Sequence, residues 1–213
     1  MDWSASWRDA FRIELRAEAI GLAGRDWPVF PGTYLDDTLP VGEQWVGRAG
    51  HTQHGPAPVQ EDWQTLLPAS LADNVSWWAA RPYSLLLATG LGIDVIEVDA
   101  ALGRPVAGAL RRAGLLVPTL ATPDGRWLFL VASGAPLNLE LAEREGVVLH
   151  AKGSWVPLAP SPVVHGVVHW RVKPETCDWT LLPSAQVQET IAEVAFGLDP
   201  IRDDQDGLVG AER

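Results

Sequence analysis

The segment Ile93-Asp94-Val95-Ile96-Glu97-Val98-Asp99 holds the residues of this 213-residue chain whose types and spacing best suit chemistry. Read as a strand, it has a side-chain period of two. Glu97 and Asp99 then project to one face and Asp94 to the other. Two carboxylates side by side near a strand end offer a first foothold to an oxygen-preferring Mg²⁺ or Mn²⁺. Ions held in this way can bind a triphosphate and activate an attacking hydroxyl, which is the chemistry of nucleotidyl transfer. A strand that simply emerges into solvent through acidic residues has the same pattern. Taken alone, the spacing favours that plainer reading.

Other groups carry less. His51 and His54 stand three apart in a loop-rich stretch with no nearby carboxylate at helical spacing, so a surface loop outweighs metal ligation. Arg8, Arg12 and Arg16 form a stripe on the first helix; a solvated flank beside Asp9, Glu14 and Glu18 outweighs a phosphate-facing edge. Ser133 and Ser154 have no histidine–carboxylate constellation readable from spacing. Gly90-Leu91-Gly92 lacks the third glycine and the strand-to-helix setting of a dinucleotide fingerprint. Cys177 adjoins Asp178, which would raise its pKa and make it a poor nucleophile.

The elements that must position these residues follow from periodicity and turn chemistry. Trp7, Phe11, Leu15, Ala19 and Leu22 give a core stripe to a helix over 3–23. A short strand follows at 27–32, then loop over 33–68. Ser70 and Asp73 form a capping box for a helix to about Arg81. Strands are predicted at 84–88 and 93–99, and a helix at 100–113 with Pro105 near its first turn. A hairpin joins 117–122 to 126–132 around Pro123-Asp124-Gly125. Beyond it come a helix at 136–145, strands at 147–150 and 155–159, a hairpin over 163–172 around His165-Gly166, and a helix at 184–197. Strands outnumber helices without strict alternation, which predicts an α+β fold with a mixed or antiparallel sheet. One domain over 1–197 and an acidic, fraying tail over 198–213 complete the reading.

Composition narrows the function classes. The formal net charge of −11 repels DNA, RNA and anionic membranes, although a local basic groove is compatible with it. A single cysteine excludes an intramolecular disulfide and a cysteine-rich zinc site. Without a long apolar run or a signal-peptide pattern at the start, the cytoplasm is the expected compartment and no membrane partner is expected.

Order and neighbourhood add to the acidic pair. The succession Trp27-Pro28-Val29-Phe30-Pro31, Trp77-Trp78-Ala79-Ala80-Arg81-Pro82, Leu87-Ala88-Thr89-Gly90 and Val95-Ile96-Glu97-Val98-Asp99 resembles the N-terminal domain of bifunctional DNA primase/polymerases. These are prim-pol members of the archaeo-eukaryotic primase superfamily. The resemblance continues through Thr122-Pro123-Asp124-Gly125-Arg126 and Gly153-Ser154-Trp155-Val156-Pro157-Leu158-Ala159-Pro160-Ser161, covering roughly residues 15–173. It looks most like the short, stand-alone actinobacterial versions that lack a helicase domain.

The resemblance implies a nucleotide cleft with Mg²⁺ or Mn²⁺, in which Glu97 and Asp99 match the family's metal-binding, catalytic Asp-x-Asp pair. The family's nucleotide-contacting histidine follows a Gly-Arg. Here Gly125-Arg126 is followed by Trp127, which can stack but cannot supply imidazole chemistry. The later acid that completes the metal site belongs on the strand before Gly153, yet residues 147–152 contain none. Arg126, Trp127, His150 and Lys152 are the nucleotide-binding candidates, expected to converge on the acidic pair. Lys152 would compete with a cation. Some short relatives carry Cys and His in the loop; His51 and His54 without cysteine imply no structural zinc.

Three functions follow from this resemblance. The first is a degenerate relative that keeps the cleft and acts as a nucleotide-binding or nucleic-acid-associated regulator. The second is an active, metal-dependent primase-polymerase in which His150 replaces a ligand. The third is a scaffold that binds a protein partner and no nucleotide.

Overall fold

In the computed structural model, which describes residues 3–36, 38–40, 44–48, 50 and 55–197, the chain opens with helix α1 (Trp3–Ala23). Leu15, Ala19 and Leu22 are buried on it at the predicted spacing, and Arg12 and Arg16 face solvent. The side chains of Trp7 and Arg8, together with His51, His54 and the segment 198–213, lie outside the described residues. Strand β1 (Val29–Gly32) is followed by the two-residue strands β2 (Tyr34–Leu35) and β3 (Trp45–Val46) and a 3-10 turn at Trp63–Leu66. These last three occupy the stretch predicted as loop.

Helix α2 (Leu71–Ala80) begins at the predicted capping box. The Ser70 hydroxyl accepts from the Asp73 amide at 3.1 Å, and the Asp73 carboxylate accepts from the Ser70 amide at 2.9 Å. Then come β4 (Ser84–Ala88), β5 (Ile93–Asp99) and α3 (Ala100–Arg112). Pro105 sits inside α3 rather than in its first turn. The packing of Leu102, Val106 and Leu110 against the sheet offsets its missing amide.

Strands β6 (Thr119–Ala121) and β7 (Arg126–Ala132) form the predicted hairpin. The helix predicted at 136–145 contracts to one turn, α4 (Leu139–Ala142), because only Leu141 is buried and Leu139 is 81% exposed. Strands β8 (Val148–His150) and β9 (Trp155–Pro157) follow. The hairpin predicted over 163–172 splits. Strands β10 (Pro162–Val163) and β11 (Gly166–Val167) pair with each other, while β12 (His169–Val172) crosses to another sheet after buried Val168. A 3-10 turn at Pro174–Cys177 precedes α5 (Ser184–Phe196).

Two sheets matter for the site, in the orders β1-β4-β9 and β12-β6-β7-β5-β8, with every strand pairing antiparallel. This is the α+β architecture expected. Period two divides the larger sheet into two faces. Ile96, Val98, Phe129 and Val131 pack on α3 and α5. Ile93, Val95, Leu128 and Leu130 pack on the small sheet and on α1. No helix among the described residues is long and apolar enough to cross a membrane.

Candidate functional site

Along one face of β5 the core runs out. Ile93 and Val95 are 4% and 0% exposed, but the next two residues on that face, Glu97 and Asp99, are only half-buried. The smaller sheet covers the first pair and leaves Glu97 lining a cleft. Neighbouring strands complete the face by register: β7 sets Leu128 opposite Glu97 and Arg126 opposite Asp99, and β8 sets His150 opposite Val95 and Val148 opposite Glu97. The acidic pair therefore shares a face, as period two requires. Asp94 faces away and is buried, accepting from the Gly134 amide at 3.2 Å.

The β6–β7 turn fixes Arg126 at the start of its strand. Gly125 takes a left-handed φ of 85°, a conformation that favours glycine. The Arg126 amide donates to the Thr122 hydroxyl at 2.9 Å. From there Arg126 Nε donates to Glu97 Oε1 at 2.6 Å, and its Nη2 donates to the Gly146 carbonyl at 2.8 Å. His150 Nε2 donates to Glu97 Oε2 at 2.7 Å, and His150 Nδ1 lies 3.1 Å from the Ser154 hydroxyl.

Burial acts to raise the Glu97 pKa. The hydrogen bonds from His150 and Arg126, and their charges, outweigh it and hold the carboxyl below its ordinary range. Asp99 has a structural duty as well. Its Oδ1 accepts from the Leu102 amide at 2.9 Å and caps α3.

This donor set does not suit a divalent ion. Both Glu97 oxygens are engaged, one Asp99 oxygen caps a helix, and the strand position across from Glu97 is Val148. Among the described residues, no group of three or more His, Cys, Asp or Glu is placed to hold a metal. The cation beside Glu97 is a guanidinium. Around it opens a cleft of about 440 Å³ lined by Glu97, Arg126, Thr122, Asp124, Trp155 and His165. The cleft therefore presents an ionised carboxylate already paired with an arginine, and an indole beside them.

The expected convergence of Trp127, His150 and Lys152 on the acidic pair needs correction. His150 is there. Trp127 lies on the helix-covered face, where it packs against Gly103 of α3 and lies under the Arg171 guanidinium, 5.6 Å from the ring centre. The reason is period two: Arg126 and Leu128 face the cleft, so the residue between them cannot. Lys152 is exposed on the turn after β8 and lines a different cavity.

Sequence reasoning passed over Ser154 as an orienter of His150, Gly146 as an acceptor and Trp155 as a wall. Only Ser154 left a signal, four residues from His150 across a glycine-containing turn. Cys177 behaves as expected: burial, and then Asp178, push its thiol pKa up.

The family model described as bifunctional DNA primase/polymerase, N-terminal, matches residues 19–188, reaching past the expected limit at 173 into α5. No curated protein matches the chain.

Proposed function

The chain belongs to the bifunctional DNA primase/polymerase N-terminal family, and on that premise we propose that it binds a nucleotide without synthesising a polymer. Its role on this reading is that of a nucleotide-binding or nucleic-acid-associated regulator. The observation that carries the reading is the ion pair between Arg126 and Glu97 at 2.6 Å. Phosphoryl transfer depends on positioning and on neutralising developing charge with metals, so the ligand set decides the rate. Here the first acid of the pair is already neutralised by an internal cation, the second caps a helix, and Val148 stands where a third carboxylate would face them.

What favours retained binding is the cleft itself. Trp155, which is not fully buried, lines it, and Arg126 Nη1 has no hydrogen-bond partner among the described residues. The net charge of −11 works against a long nucleic-acid track and less against a single nucleotide held in a local pocket.

A thermal-shift screen with NTPs and dNTPs, with and without Mn²⁺, tests the binding half. A raised midpoint is expected, and no shift with any nucleotide would leave only the scaffold reading. For the catalytic half, incubation with single-stranded template, labelled nucleotides and Mn²⁺ should yield no product above background. Synthesis that disappears in Asp99→Ala would overturn the proposal.

A further inference from the structure

Away from the Glu97 cleft, a cavity of about 510 Å³ opens between the end of α1, the 3-10 turn at Trp63–Leu66 and the turns after β4 and β8. That volume lies within the range of about 300–1,000 Å³ typical of small-molecule sites. Its walls are mainly apolar, with Trp27, Trp63, Leu67 and Leu91 among them, and Lys152 and Asp26 are its charged residues.

The walls are built rather than incidental. Trp63 stacks on Phe30 with ring centres 4.7 Å apart and planes within 7°. Trp27 is held edge-on by Trp170 and Trp179, with centres at 6.4 and 6.0 Å. Both indoles are thereby fixed before any ligand arrives, which lowers the ordering cost of binding. The turn that carries Lys152 is pinned as well. Gly90, at φ 80°, lies so close to it that an added Cβ would fall 2.2 Å from the Lys152 Cα. The Thr89 hydroxyl donates to the Ala151 carbonyl of the same turn. Asp26 holds a left-handed φ of 59°, a conformation that costs a non-glycine residue about 1 kcal/mol or more elsewhere in proteins. Neither Lys152 nor Asp26 has an ion-pair partner among the described residues.

We propose that this cavity binds a small molecule with a flat apolar body and a single acidic group. The body lies among Trp27, Trp63 and Leu91, and the acid meets Lys152. Charge sets the class. The one ammonium, Lys152, can pair with one negative charge, so a monoanion is matched there, whereas a polyanion such as a nucleoside triphosphate would bring further negative charge that Asp26 and the net −11 of the chain oppose. The site is separate from the nucleotide cleft and does not depend on it.

The probe is 8-anilinonaphthalene-1-sulfonate, a flat apolar body with one anionic group, compared with uncharged N-phenyl-1-naphthylamine on the full chain. Saturable binding at one site per chain is expected. Lys152→Ala should weaken the sulfonate about fivefold and leave the neutral dye nearly unchanged, as loss of one charge contact predicts. Leu91→Ala, at an exposed tip where folding is insensitive, should weaken both dyes. Ala69→Phe, which fills the cavity, should abolish both. ATP and dNTPs should leave the dye signal unchanged. Binding that does not saturate, that is equal in parent, Lys152→Ala and Leu91→Ala, or that appears only where the dye-free melt loses cooperativity would overturn the proposal.

Discussion

Replacing Arg126 by alanine removes the cation that Glu97 holds and leaves the carboxylate with His150 alone. The two side chains are 24% and 21% exposed, so the pair lies between the surface and buried regimes. A surface pair contributes about 0–1 kcal/mol. Breaking a fully buried one costs about 3–5 kcal/mol. The lost bond to the Gly146 carbonyl adds to the cost, partly recovered by water because Gly146 is not fully buried. A net loss of roughly 2 kcal/mol follows. For a chain of this size that lowers the thermal midpoint by about 4–8 °C.

The same substitution frees Glu97 Oε1 and the uncapped Asp99 oxygen to share an ion. Calorimetric melts with and without Mn²⁺ read both effects. Arg126→Ala should melt lower than the parent and gain a Mn²⁺-dependent rise that the parent lacks. At ten times its dissociation constant, the ion contributes about 1.4 kcal/mol. The double variant Arg126→Ala/Glu97→Gln should melt higher than additivity predicts and lose the Mn²⁺ effect. An equal Mn²⁺ shift in parent and Arg126→Ala, or full additivity in the double variant, would refute the idea that the guanidinium stands in the ion's place.

Glu97 also predicts a pH dependence. Its folded pKa is lowered, so the stability it contributes is present above the unfolded carboxylate range and is lost as pH falls through the folded value. Urea unfolding from neutral pH to about pH 3 should show the gap between parent and Glu97→Gln narrowing as acid is added. Val148→Asp places a third carboxylate opposite Glu97. It should destabilise the ion-free chain by up to about 1 kcal/mol and, combined with Arg126→Ala, strengthen the Mn²⁺-dependent rise in calorimetry. Trp127→His should destabilise the fold by about 1–3 kcal/mol, and so lower the midpoint, through lost packing against Gly103 and Phe129. It should leave any nucleotide-dependent shift unchanged, since the side chain faces the helices; an enhanced shift in the same screen would contradict that placement.

Local signals were enough to locate the elements around the site. Once the run from Ile93 to Asp99 is read as a strand, a side-chain period of two puts Glu97 and Asp99 on one face whatever the register. The Ser70 capping box, the Pro123-Asp124-Gly125 turn and the core stripe of α1 were legible because each depends on residues within a few positions of one another. Alternation also contained the correction for Trp127: once Arg126 faces the cleft, its neighbour cannot.

Sequence alone did not determine what surrounds Glu97. Arg126 is 29 residues away and His150 is 53, and the register of β5 against β7 and β8 sets which side chains meet. Nothing local marks Val148 as the residue facing Glu97, nor Lys152 as part of another cavity. The departure of β12 from its expected hairpin was equally hidden, because strand pairing depends on which sheet has an edge to offer. The amino-acid order determined the strand and its two carboxylates. Only the packing of distant strands decided that Glu97 would pair with an arginine, because period and turn chemistry act within a few residues and charge pairing acts across space.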